Sequence, residues 1–171
     1  YTQHNLSVAD GVDGFSAALA QLPAGSARAD VKRAFTDGNY VVLHTDYDFF
    51  GPKAGFDIFR FEEGLIVEHW DNLQEIAVPN ASGRTQLDGA TLVEDLDKTA
   101  ANKALVGDFV QDILVNGDMS VIGNYIDAED AAYIQHNPNV GDGLAALGAY
   151  LGQLAEQGTP MIYSQNHIIL G

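Results

Sequence analysis

The chain has no cysteine among its 171 residues. Disulfides, thiolate nucleophiles and cysteine-based metal sites are therefore excluded. Positive charge is almost as scarce: 8 Lys and Arg stand against 24 Asp and Glu, a formal net charge of −16. Neutralising a phosphate backbone needs clustered cations, so nucleic acid is not an expected partner. An anionic membrane surface is disfavoured for the same reason. No apolar run reaches the roughly 18 residues that a membrane span requires. A secretory signal is also missing, although the first residues read like the interior of a domain, so a cytoplasmic location is the expectation. What remains is 46% hydrophobic, enough for one domain or one and a fraction with a core of its own.

The most informative feature present is a repeat. Tyr1-Thr2-Gln3-His4-Asn5 returns as Tyr133-Ile134-Gln135-His136-Asn137, and Val8-Ala9-Asp10-Gly11 returns as Val140-Gly141-Asp142-Gly143. The apolar positions Val12, Phe15, Leu19 and Leu22 reappear as Leu144, Leu147, Leu151 and Leu154. A period this long is the size of a domain, not of a solenoid unit. Asp10 and Asp142 sit where an N-cap would open each amphipathic helix, and Pro23 and Gly158 to Pro160 stop them.

Residues 28–74 read as β-structure. Asp37-Gly38-Asn39 is a turn before the aromatic and β-branched run from Tyr40 to Phe50. Gly51 to Lys53 turns the chain again, and Glu62-Glu63-Gly64 joins strands at Phe56 to Phe61 and Leu65 to Leu73. Residues 79–101 are polar and acidic, the composition of a linker. Helical spacing resumes at Asn102, through Leu105, Phe109 and Ile113, stops at Asn116 to Asp118, and is followed by a short helix from Met119 to Ile126. The expected organisation is thus the back portion of one unit at 1–78, a linker at 79–101, and the front portion of a second unit at 102–171, ending in its first strand.

The run Phe56-Asp57-Ile58-Phe59-Arg60-Phe61, then Gly64 and Ile66-Val67-Glu68-His69-Trp70-Asp71, resembles the SnoaL-like polyketide cyclase group, and so does Tyr133 to Pro138. The likeness is to the predicted aldol-condensation subgroup of the nuclear-transport-factor-two-like superfamily, which includes ketosteroid isomerase. It covers nearly the whole chain except 79–101. It implies an α+β cone, in which helices pack on the concave face of a curved antiparallel sheet around an apolar pocket, usually as a homodimer. Because the first period lacks its opening helices, the fold is expected to be permuted or domain-swapped, or else the chain is a fragment of a longer tandem protein.

Strand alternation places Asp57 with Phe59 on one face, and His69 with Asp71 and Leu73 on one face of the next strand, opposite Trp70. Which face lines a pocket follows from the resemblance alone: the isomerase's Asp-x-Phe-Arg-Phe strand matches Asp57 to Phe61 and turns its Asp inward. In that enzyme a protonated Asp serves as an oxyanion donor. The resemblance therefore implies Asp71 as the base and Asp57, His69 and His4 as orienting or oxyanion groups. Asn5, Phe59, Leu73, Tyr47 and Leu43 would contact a small apolar carbonyl substrate. A cofactor-independent enolisation, aldol-type cyclisation or isomerisation is the expected chemistry. The rival reading is a non-catalytic ligand-binding or assembly domain. Simpler roles compete at each residue: Asp71 ending a strand, Asp57 paired with Arg28, Lys32 or Arg33, and Asn5 capping its own turn while His4 packs beneath the helix. No tight ligand spacing points to a metal. There is no nucleophile elbow, and the glycines at 11 and 14 lack the preceding strand of a dinucleotide site.

Overall fold

A computed structural model describes residues 1–127, 129, 133–159, 161–164 and 167–171. The chain forms two compact units, Tyr1–Ile76 with Gly89–Thr91, and Ala77–Asp88 with Leu92–Gly171.

The first unit is a mixed, open five-stranded sheet with one helix. Its elements are β1 (Thr2–Gln3), α1 (Gly11–Leu19), β2 (Arg28–Asp37), β3 (Tyr40–Asp48), β4 (Pro52–Glu62) and β5 (Leu65–Glu75). The strand order is β1-β5-β4-β3-β2. From β2 to β5 the sheet is the antiparallel meander that the turn residues predict. Glu63 and Gly64 both take positive φ, 49° and 79°, the geometry that lets a two-residue turn follow the twist of its strands. The expectation of a wholly antiparallel sheet is corrected by β1. The start of the repeat motif pairs parallel to β5, with Thr2 beside Glu68 and Gln3 beside His69.

Register fixes which side chains share a face. Leu43, Asp57 and Asp71 lie in one row across β3, β4 and β5; Val41, Phe59, His69 and Gln3 form the next, and Thr45, Gly55 and Leu73 the one on the other side. The opposite face carries His44, Phe56, Trp70 and Glu68.

Asp10 does not cap α1. Its carboxylate instead accepts the backbone N–H of Gln3 at 2.7 Å. Nor does α1 bury its apolar stripe: Val12 is 71% exposed, Phe15 45% and Leu19 49%. The expected packing of this helix onto a concave face is therefore not what its side chains do.

In the second unit, a 3₁₀ turn (Leu96–Lys98) leads into α2 (Thr99–Phe109), which widens into a π-helical stretch (Val110–Val115) before the stop at Asn116 and Gly117. Asp118 caps the 3₁₀ helix Met119–Asn124 by accepting from Ser120 N at 3.0 Å. Helix α3 spans Leu144–Glu156. Among the described residues no strand follows it, in contrast to the expected first strand, and Pro160 lies outside them. Residues 77–88, which include the start of the linker expected at 79–101, are packed into this unit, with Asn80 and Gln86 buried. None of the described helices is long and apolar enough to cross a membrane.

Among the described residues only Ala54, Ile113 and Val140 are buried apolar side chains, whereas His44, Thr45, Asp57, His69, Asn80 and Gln86 are buried polar ones. Buried polar groups need partners to repay desolvation, so the places where those partners converge organise both units.

Candidate functional site

In the first unit that place is Asp57. Its side chain is about 5% exposed at the centre of β4. The hydroxyl of Tyr47 donates to Oδ2 at 2.8 Å, and His69 Nε2 stands 3.3 Å from Oδ1. Gly55 makes the first contact possible. A Cβ at that position would lie 2.7 Å from the Tyr47 ring and 2.9 Å from Leu73 Cδ2, so only a bare backbone lets the phenol lie across the sheet and reach Asp57. Burial, then the charge of Asp57 and the hydrogen bond to it, push the Tyr47 hydroxyl up to about 12.

The orientation of His69 follows from a residue outside the strands that carry the acids. Phe59 stacks on the imidazole with centroids 4.5 Å apart. Gln3 Oε1 lies 3.1 Å from Nδ1. That oxygen also accepts the Asn5 backbone N–H at 3.0 Å, while Gln3 Nε2 donates to the Tyr1 hydroxyl at 2.9 Å, so the amide has one consistent orientation. A carbonyl oxygen against Nδ1 requires a proton on Nδ1. Nε2 then turns a lone pair toward Asp57 unless a second proton sits between them. A hydrogen bond between Nε2 and Asp57 Oδ1 then needs a further proton on one of the two atoms.

Asp71 is directly across from Asp57 on β5 and is half-buried. Asn5 Nδ2 donates to its Oδ2 at 2.6 Å, while Asn5 Oδ1 accepts Ser7 N at 2.9 Å. Asn5 is thus both the turn cap and the holder of Asp71. Burial, and then the charge of Asp71, raise the Tyr1 hydroxyl.

The structure brings Asp57, His69, Asp71, Tyr47, Asn5 and Phe59 together, with Leu43 and Leu73 on the same face. It does not bring His4. That imidazole lies on the other face, stacked on Trp70 at 4.7 Å and 2.8 Å from Glu68 Oε1. The hydrogen bonds from His4 and Arg60 hold the Glu68 carboxyl below its usual range. The physical reason is strand alternation: once β1 pairs with β5, Gln3 and His4 must face opposite ways. The alternative, an ion pair of Asp57 with Arg28 or Lys32, is not formed: Arg28 pairs with Asp46, and Lys32 with Asp30 and, farther off, Asp46. Arg33 reaches Ala90 O and His44 Nδ1. Gln3 and Tyr1 were missed by the sequence reading. Their signal was present, since both recur at Gln135 and Tyr133.

The two copies of the motif fold into the same loop. Tyr1 O accepts from Gly11 N, and Tyr133 O from Gly143 N, each at 2.9 Å. Asp142 takes Gln135 N at 2.9 Å as Asp10 takes Gln3 N. Gln135 Oε1 receives Asn137 N at 2.9 Å, and Gln135 Nε2 donates to the Tyr133 hydroxyl at 2.9 Å. The seams to the following helices differ. A Cβ on Gly14 would meet Ala9 O at 2.1 Å, whereas Ala146 stands at the matching place in the second copy.

No group of three or more His, Asp or Glu side chains converges as a metal site requires, among the described residues. No protein-family model matches the chain, and no curated protein matches it.

Proposed function

We propose that the face around Asp57 is a cofactor-independent acid–base site of the SnoaL-like type, acting on a small apolar carbonyl compound. The observation that carries this reading is the buried Asp57 carboxylate, with His69 Nε2 3.3 Å from its Oδ1, beside a second carboxylate, Asp71, in the adjacent strand position. Two carboxylates in unlike environments are suited to opposite halves of a proton transfer. Asp71 takes the proton from the carbon next to the carbonyl, and the electron pair of that C–H bond moves into an enolate. The Tyr47 hydroxyl, turned from Asp57 Oδ2 toward the substrate oxygen, donates a hydrogen bond to the developing oxyanion and keeps its proton. Returning the proton at another carbon completes an isomerisation; attack of the enolate carbon on a second carbonyl completes an aldol condensation. Leu43, Phe59 and Leu73 supply the apolar wall.

The test is proton exchange into deuterated water on a panel of ketones and β-dicarbonyl compounds. Asp71→Asn is expected to slow exchange by about 100-fold or more with the urea midpoint unchanged. Unchanged exchange by that variant removes the mechanism.

A second reading, an assembly domain of the same fold acting as a homodimer or swapped oligomer, is favoured by the exposed stripe of Val12, Phe15 and Leu19. In that case Val12→Asp weakens self-association and Asp71→Asn leaves it intact.

A further inference from the structure

The second copy of the loop is plugged and the first is not. Asn80 Nδ2 donates to three carbonyls of the second loop, Gln135 O at 2.8 Å, Asn137 O at 3.3 Å and Val140 O at 2.7 Å. The residues after Asn80 complete the clasp. Ser82 Oγ accepts Asp142 N at 2.8 Å, Arg84 Nε donates to Asp142 Oδ2 at 3.0 Å, and Thr85 O accepts from His136 Nδ1 at 2.9 Å. Asn80 Oδ1 holds the clasp's own turn by accepting Ser82 N and Arg84 N. One buried amide thus organises two chain segments at once.

The first loop offers the same rim. Gln3, Asn5 and Val8 correspond to Gln135, Asn137 and Val140, and Asp10 spends only Oδ1 on Gln3 N, as Asp142 does on Gln135 N. Yet among the described residues no side chain donates to the carbonyls of Gln3, Asn5 or Val8. Exposure follows the same contrast. Val140 is 3% exposed and Asp142 largely covered, while Val8 is half-buried and Asp10 exposed.

We propose that the loop at residues 1–10 is a docking site for a polypeptide segment of Asn-x-Ser-Gly-Arg-Thr chemistry, supplied by the stretch that follows β5 in another copy of this unit. The occupant is identified by the segment seated on the duplicate loop within this same chain. Its Asn would fill the ring of carbonyls, and its Arg would meet Asp10 Oδ2. The surface is acidic overall, so a cationic anchor is favoured. One position sets a preference. A Cβ on Gly141 would lie 3.2 Å from Ser82 Oγ, and the first loop carries Ala9 there, so docking requires the serine to give way by a few tenths of an ångström. A glycine at that peptide position is expected to bind at least as well.

The experiment is a titration of the isotopically labelled full chain with a synthetic peptide of residues 77–88, read by backbone amide NMR shifts. Saturable shifts confined to residues 1–11, half-complete by about 5 mM, are expected for a few hydrogen bonds and one ion pair. The Asn80→Ala peptide should bind at least about tenfold more weakly, because three hydrogen bonds leave together. The Arg84→Gln peptide, and the Asp10→Asn protein with wild-type peptide, should each weaken binding several-fold while the loop stays folded, since Asn retains an acceptor for Gln3 N. A titration still linear, with no curvature, at about 5 mM, shifts at residues 133–143 alone, or an Asn80→Ala peptide that binds equally well would each overturn the proposal.

Discussion

Gln3 Oε1 stands 3.1 Å from His69 Nδ1, and this one contact decides what His69 presents to Asp57. With Nδ1 committed as a donor, Nε2 is left for the carboxylate. What Nε2 presents to Asp57 is therefore set by the repeat motif, not by the strands that carry the acid and the imidazole. A residue read as part of a loop marker is a positioning residue for the cluster.

Replacing Gln3 by Leu keeps the volume and deletes the acceptor. His69 Nδ1 and Asn5 N then lose a partner, at a cost of about 1–3 kcal/mol, measured by urea denaturation. The ring-nitrogen NMR shifts of His69 should move with it. A variant of wild-type stability with an unmoved imidazole spectrum would show that Gln3 does not orient the ring.

Gly55→Ala places a methyl group 2.7 Å from the Tyr47 ring. The phenol must swing off the sheet, the contact to Asp57 breaks, and stability falls by about 1–3 kcal/mol. Tyrosinate absorbance should show the Tyr47 ionisation dropping back toward 10, the ordinary value from which the fold raises it. Retention of the raised ionisation in Gly55→Ala would sink this account of the glycine.

Tyr47 also predicts an alkaline limit. Its hydroxyl is raised from 10 to about 12 in the folded chain, so the fold favours the neutral phenol. That contribution is fully present below pH 10 and is lost as pH rises through about 12. Tyr47→Phe has no such group to titrate, and its stability should decline less over that window. Parallel stability curves for the two proteins between pH 9 and 12 would count against the assignment.

Much of the first unit was legible because its strands obey simple rules. Turns at Gly38 and Gly64 and the alternation along β4 and β5 follow from residue type and spacing, while the shared face of Asp57 with His69 and Asp71 was implied by the resemblance. Two things were not legible. Pairing of Thr2 and Gln3 with β5 is a long-range event that no local propensity announces, and it alone sends His4 to the far face. The polar stretch after β5 reads as a linker by composition, yet Asn80 is buried because three carbonyls of a distant loop need a donor. Composition reports how much polar surface a segment has, and says nothing about whether another segment will satisfy it.

The seam between loop and helix is directional. In the first copy the carbonyl of Ala9 rests against Gly14, where an added methyl would lie 2.1 Å away; in the second, Ala146 already carries that methyl. The two helices are therefore not interchangeable in both directions. Carrying the first helix into the second copy costs about 1 kcal/mol of helix propensity at the new glycine. The reverse exchange sets a methyl against the Ala9 carbonyl and forces the helix off its loop.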